Sequence, residues 1–153
     1  GITANPELLQ GFISVEEEQT HHHAMFFINA NGTELNLRAE RFQLQDSAVH
    51  LENNRSHVVH KHEEGVTWGQ FLDTVNIQIN RTGEQNCLEM PRNRFCGNMT
   101  LMVNGEDYRP EKKIQQGDNF AIVIGKNTVE AAEAYMELEL PREFKETQIT
   151  RRV

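Results

Sequence analysis

Residues 120–124 read Phe-Ala-Ile-Val-Ile, five consecutive positions without a polar side chain. The run is too short for a buried helix and rich in branched residues, so it reads as a strand. Successive strand side chains face opposite sides of a sheet, so a strand that is apolar throughout must be covered on both faces. Residues 120–124 are therefore expected at the centre of a sheet, and the rest of the chain must supply neighbours and cover.

Strand neighbours are readily found. Residues 24–30 (AMFFINA) are aromatic and branched, and they run into Asn31-Gly32, a dipeptide favoured in tight hairpin turns. Leu35 and Leu37 then alternate with Glu34, Asn36 and Arg38, completing a first hairpin. Residues 47–51 and 57–62 flank a polar turn and form a second. Cover comes from a helix: Thr67 can cap it, and Trp68, Phe71, Leu72 and Val75 fall at i, i+3, i+4 and i+7. A helix this short is stable only when that face docks on a sheet. The period then switches to two through Val75, Ile77 and Ile79, and residues 99–103 form another strand ending at Asn104-Gly105. One short helix crossing a mixed sheet is an α+β, β-grasp (ubiquitin-like) layout. It is expected over residues 21–125, between an N-terminal arm, 1–20, and a C-terminal extension, 126–153. In the arm, residues 8–15 carry apolar side chains. In the extension, residues 128–134 read as a helical turn. Met136, Leu138 and Leu140 alternate with Glu137 and Glu139 as a strand would, and 142–153 read as a polar tail.

Two cysteines, Cys87 and Cys96, lie nine positions apart across Pro91, Asn93 and Gly97, which mark a turning loop. Metal and redox pairs generally use tighter C-x-x-C spacing, so a disulfide is expected. Sequons occur at Asn31, Asn54, Asn80 and Asn98, four where chance composition gives about one. Disulfide and sequons together place the protein outside the cytoplasm as a glycoprotein. The chain opens at Gly1 without a signal peptide or initiating methionine, so a processed form or part of a longer product is expected. No apolar run approaches the length of a membrane-spanning helix. The net charge of −8, with scattered Lys and Arg, excludes nucleic acid as a partner.

All seven histidines fall between positions 21 and 62. His60 and His62 are two apart on one strand and so share a face, as do His21 and His23. If the strand of His50 pairs with that of His60 and His62, the three segments converge. His21, His23, His50, His60 and His62 are therefore candidate ligands for a transition metal, copper or zinc, with nickel a further fit to imidazole donors. His22 and His57 are expected on the opposite face.

The order His21-His22-His23-Ala24, Asn31-Gly32, His50-Leu51-Glu52, His60-Lys61-His62, Thr67-Trp68-Gly69-Gln70-Phe71, Val103-Asn104-Gly105, then Gln116-Gly117-Asp118 through Ile124-Gly125 resembles a group of exported archaeal and bacterial domains of poorly known function. The resemblance spans about residues 21–125. Its closing element is also similar to the last hairpin of small β-grasp carrier proteins. Glu52 stands where bacterial members tend to carry a second histidine, and a terminal Gly-Gly, which carrier chemistry requires, is absent.

Three functional classes follow. No Gly-rich phosphate loop, G-x-S-x-G or H-E-x-x-H is present, so an enzyme is not expected, with a metal-dependent hydrolase the remaining form of that class. A soluble extracellular metal-binding module fits the histidines. The leading expectation is a structural subunit of a cell-surface assembly or filament, a homopolymer joined by exchange of terminal strands, with residues 135–140 and 8–15 as connectors.

Overall fold

The computed structural model describes residues 18–146 and 148–151. The fold is α+β: a mixed eight-stranded sheet, a small three-stranded sheet and two α-helices among the described residues. The long first strand β1 (Glu18–Ala30) lies beside β10 (Asn119–Ile124) in parallel, Phe26 opposite Phe120 and Ile28 opposite Ile122. On the other side β1 meets β4 (Val58–Lys61), and β4 meets β3 (Val49–His50), both antiparallel. Beyond β10 come β8 (Met99–Val103) and β9 (Glu106–Asp107), giving the order β3-β4-β1-β10-β8-β9. Both expected hairpins form. β2 (Thr33–Glu34) folds back on β1 through Asn31-Gly32, where Asn31 and Gly32 have φ of 54° and 86°, as the turn chemistry requires.

β10 is buried at all six positions, and the two faces of the sheet are covered differently. Phe120, Ile122 and Ile124 join Ala24, Phe26, Ile28, Val59, Leu101 and Val103 under helix α1 (Trp68–Thr74). Trp68 and Phe71 meet Phe26 with ring centroids 6.2 and 5.3 Å away. Thr67 and Gln70 close a reciprocal capping box. The helix end comes so near the loop after β9 that a Cβ on Gly69 would lie 2.8 Å from the Pro110 carbonyl oxygen. Gly69 is thus the residue that permits the approach.

Ala121 and Val123 face the other way, and α2 (Thr128–Met136) covers them with Ala131, Ala132, Tyr135 and Met136. The helical turn expected over residues 128–134 forms and runs on to Met136, but the strand expected after it does not form. Met136 ends α2, Leu138 is 46% exposed, Leu140 is buried, and no strand forms over 136–140. The alternation of Met136, Leu138 and Leu140 did not correspond to a shared face. What decided the structure was the uncovered side of β10, which a helix with small residues at Ala131 and Ala132 can approach closely. The chain then runs through a 3-10 turn (Arg142–Phe144) into β11 (Gln148–Arg151), so the supposed polar tail ends in a strand. β11 pairs antiparallel with the start of β1 in its own chain, Gln19 opposite Thr150 and His21 opposite Gln148. Residues 18–20, read as part of an arm, are therefore the first residues of β1. The apolar segment 8–15 lies outside the described residues.

The cysteine loop is a hairpin of the second sheet, β5 (Gln78–Arg81), β6 (Asn86–Glu89) and β7 (Arg94–Cys96). Cys87 and Cys96 sit directly opposite each other and are disulfide-bonded.

One polar hub closes the main core. The buried Asp118 carboxylate accepts from the Trp68 indole (3.1 Å), the Lys112 ammonium (2.9 Å), the Asn104 amide (2.8 Å) and the Gln115 backbone N–H (2.9 Å). Asn104 Oδ1 in turn accepts from the Asn119 N–H. Trp68, Asn104 and Asp118 all belong to the motifs that carry the sequence resemblance, and here they lock helix, hairpin and central strand together.

Candidate metal centre

The strand register assembles the histidines. His23 is opposite His60, and His60 is opposite His50, so the three form a row across β1, β4 and β3. Alternation puts His21 on the face of His23, and His62 and Glu52 follow their strands by the same step of two. The result is five imidazoles and one carboxylate on the face of the sheet that also carries Met25, Phe27 and Val58. Ring centroids are 4.7 Å apart for His21 and His23, 4.2 Å for His21 and His62, 4.8 Å for His23 and His60, and 4.9 Å for His50 and His62.

All five candidate histidines are thus brought together. The two residues excluded from the set are not in the cluster, although His57, expected on the opposite face, packs on the same face against Phe27. His57 stacks on Phe27 and pairs with Glu34 (Nε2 to Oε2, 3.0 Å), and His22 stands opposite Lys61. Glu52 is the member that the histidine pattern missed as a ligand. The signal was its place two residues after His50, where a strand repeats its face.

The hydrogen bonding of these histidines is incomplete. His23 and His60 are 2% and 3% exposed, yet His23 Nδ1 and both ring nitrogens of His60 have no hydrogen-bond partner, and neither do His21 Nε2 and, outside the cluster, His22 Nδ1. Buried polar atoms in folded proteins are paired with few exceptions, and an unpaired one costs about 1–3 kcal/mol. At His50, Nδ1 lies 2.7 Å from the Asp46 carbonyl oxygen. A carbonyl can only accept, so Nδ1 carries the proton and neutral His50 presents a lone pair at Nε2. That lone pair faces a Glu52 carboxylate oxygen at 3.0 Å and His62 Nε2 at 3.3 Å. A cation between these atoms resolves the opposition. An Nδ1–H bonded to a main-chain carbonyl is also the usual way a ligating imidazole is oriented.

Burial sets the protonation of the cluster. It pushes His23 down to about 4, helped by repulsion from His21 and opposed by Glu52. It pushes His60 down to about 4 as well, against the attraction of Glu52 and with repulsion from His23, His21 and His50. His21 and His62 are lowered for the same first reason. Burial resists ionisation of Glu52, but His60, His50 and His62 outweigh it and hold the carboxyl below its ordinary value. At neutral pH His21, His23, His60 and His62 are therefore neutral imidazoles and Glu52 an ionised carboxylate, the forms that bind metal.

The segment after α2 roofs the site. Leu140 packs on Met25, Phe27 and Val58, and the Phe144 ring lies 4.7 Å from His23 and 5.4 Å from His60. Gln116 ties this strap down, donating to the Phe144 carbonyl while its Oε1 accepts from the His23 N–H. Arg55 holds it from the other side, over the Phe144 ring and paired with Glu143 at 3.1 Å.

No helix among the described residues is long and apolar enough to cross a membrane. A scan of protein-family models, a search of curated proteins and a search of solved structures give no match to this chain, so the geometry of the site carries the functional reading.

Proposed function

We propose that this is an extracellular, N-glycosylated domain that binds a divalent transition metal, copper or zinc, through His21, His23, His50, Glu52, His60 and His62. The observation that carries the reading is the set of buried imidazole nitrogens without partners on β1 and β4, beside the His50, Glu52 and His62 group. Imidazole and carboxylate donors without thiolate suit Cu(II) and Zn(II). The role is binding rather than turnover. Phe144 and Leu140 roof the cluster, and the larger groove near α1, about 1010 Å³ and lined by Gln70, Ile79, Arg81 and Tyr108 among others, takes no residue from it. The extracellular setting is supported by the Cys87–Cys96 disulfide and by the exposure of Asn31, Asn54, Asn80 and Asn98.

The order β4-β1-β10-β8-β9, with β1 and β10 parallel and α1 between the halves, supports a β-grasp assignment in which β3 and α2 are additions. The filament reading needs a terminal strand free to pair with a neighbouring copy. Of the two expected connectors, residues 136–140 form none and residues 8–15 lie outside the described residues, so metal binding, which rests on described geometry, is the reading put forward.

The test is direct. Chain stripped with a chelator is dialysed against Cu(II), Zn(II) or Ni(II) at neutral pH and assayed by elemental analysis. Retained metal with a raised melting temperature is expected. Failure to retain any of the three ions refutes the proposal.

A further inference from the structure

Six donors exceed what one copper or zinc ion ordinarily takes from protein, which is about four. The structure sorts them into two sets of three: His21, His23 and His60 in one, His50, Glu52 and His62 in the other. Within each set the donor atoms all lie within 4.8 Å of one another. We propose that the cluster is a two-ion centre, with one divalent transition-metal ion in each set and Glu52 reaching across both. The inference rests on the metal-binding reading above and adds its stoichiometry and division of ligands.

Each set carries its own sign of a cation. In the first, the unpaired atoms are His21 Nε2, His23 Nδ1 and the nitrogens of His60, and two of these three residues are almost fully buried. In the second, the Asp46 carbonyl fixes the His50 tautomer, leaving the Nε2 lone pair against a carboxylate and another imidazole. The sets nonetheless touch. Glu52 Oε1 is 3.0 Å from His50 Nε2 and 3.8 Å from His60 Nδ1, so one carboxylate oxygen lies at the boundary. The His21 and His62 rings, one from each set, are 4.2 Å apart. Two ions held this way would form a paired-metal site, in which the ions sit roughly 3.5–4 Å apart. Three protein donors per ion leave each ion at least one position for water or hydroxide, and a bound hydroxide offsets part of the positive charge that a single carboxylate does not balance.

The experiment loads the full chain with Cu(II) after chelator treatment and removes free ion by dialysis. Copper per chain and the electron paramagnetic resonance signal are then measured in parallel. Wild-type protein is expected to hold two ions, with an integrated signal well below its copper content because neighbouring Cu(II) spins couple. His21→Ala and His62→Ala each alter one set at a half-buried position. Each is expected to hold one ion and to give an uncoupled spectrum accounting for all its copper. One ion in the wild type, with an uncoupled spectrum, overturns the two-ion centre and leaves metal binding standing. No copper retained overturns both. Two ions retained in both variants overturns the division of ligands. If a variant fails to fold by circular dichroism, the wild-type stoichiometry and spin coupling decide by themselves.

Discussion

Acid should unfold the metal-free protein through two residues, His23 and His60. In the unfolded chain their imidazoles titrate near the ordinary value of about 6.5. In the folded chain burial holds both down to about 4. Above pH 6.5 both states carry neutral rings and the difference contributes nothing. Between 6.5 and 4 the unfolded chain binds protons that the folded chain refuses, so stability falls as pH falls and the loss is complete below about 4. A shift of about 2.5 units is worth about 3 kcal/mol for one ring, at about 1.4 kcal/mol per unit. The rings are neighbours, so two do not simply add. Against a typical total of about 5–15 kcal/mol, one such ring is a large share. Urea unfolding in excess chelator at pH 7.5 and 4.5 measures the loss, and His60→Leu separates its source. The wild type should lose at least about 2.5 kcal/mol over that interval, and the variant, whose buried leucine cannot be protonated, clearly less. Equal losses in the two proteins, or a wild-type stability flat across the interval, would refute the account. Saturating Zn(II) should flatten the wild-type curve over its upper part, since an ion at 100 times its Kd adds about 2.7 kcal/mol to the folded state.

Four further outcomes are expected. Gly69→Ala puts a methyl 2.8 Å from the Pro110 carbonyl and should destabilise by about 1–3 kcal/mol in urea melts, whereas the neighbouring exposed Gln70→Ala removes only half of a capping box. Reduction should raise the intact mass by two protons and lower stability by about 2–3 kcal/mol, and thiol labelling of unreduced native protein should find neither Cys87 nor Cys96. Peptide mapping of protein from its own host should find glycans on at least two of Asn31, Asn54, Asn80 and Asn98; four bare asparagines would remove the sequon argument. Light scattering of the chain should report a monomer, because β11 is paired within its own chain; rods or concatemers would mean that the same pairing is made between copies.

Much of the architecture was legible because several local signals agreed. Asn31-Gly32 and Asn104-Gly105 made the turns their φ values demand, and Thr67 capped the helix whose apolar stripe begins at Trp68. The histidine cluster was legible too, since a period of two and a hairpin register are sequence-level quantities, and His50 does face His60. What failed was wherever tertiary demand outweighed local pattern. Residues 136–140 alternate as a strand does, yet the helix expected over residues 128–134 continues to Met136 across Ala121 and Val123 and no strand follows it. The loop around Cys87 held breakers at Pro91 and Gly97, and these mark only the edges of a hairpin whose partner, β5, gives it a sheet.

The roof over the histidines follows from that same failure. After α2 the chain passes over β1 and β4, where Leu140 meets Val58 and Phe144 meets His23 and His60, before β11 pairs with the start of β1. A strand at 136–140 would have left the cluster open to solvent, and its imidazoles would titrate as ordinary surface histidines do. The covered path instead removes water from His23 and His60, leaves their nitrogens unpaired and keeps them neutral at mildly acid pH. Removing the roof should therefore act on the site before it acts on the fold. Phe144→Ala, which deletes a half-buried ring and leaves the Gln116 bond to the main chain intact, should admit water to the cluster and raise the pKa of both histidines toward the ordinary value. Nuclear magnetic resonance titration of the imidazole protons in metal-free protein reads this directly. Unchanged titration of His23 and His60 in that variant would show that the sheet alone, without its C-terminal cover, keeps them dry.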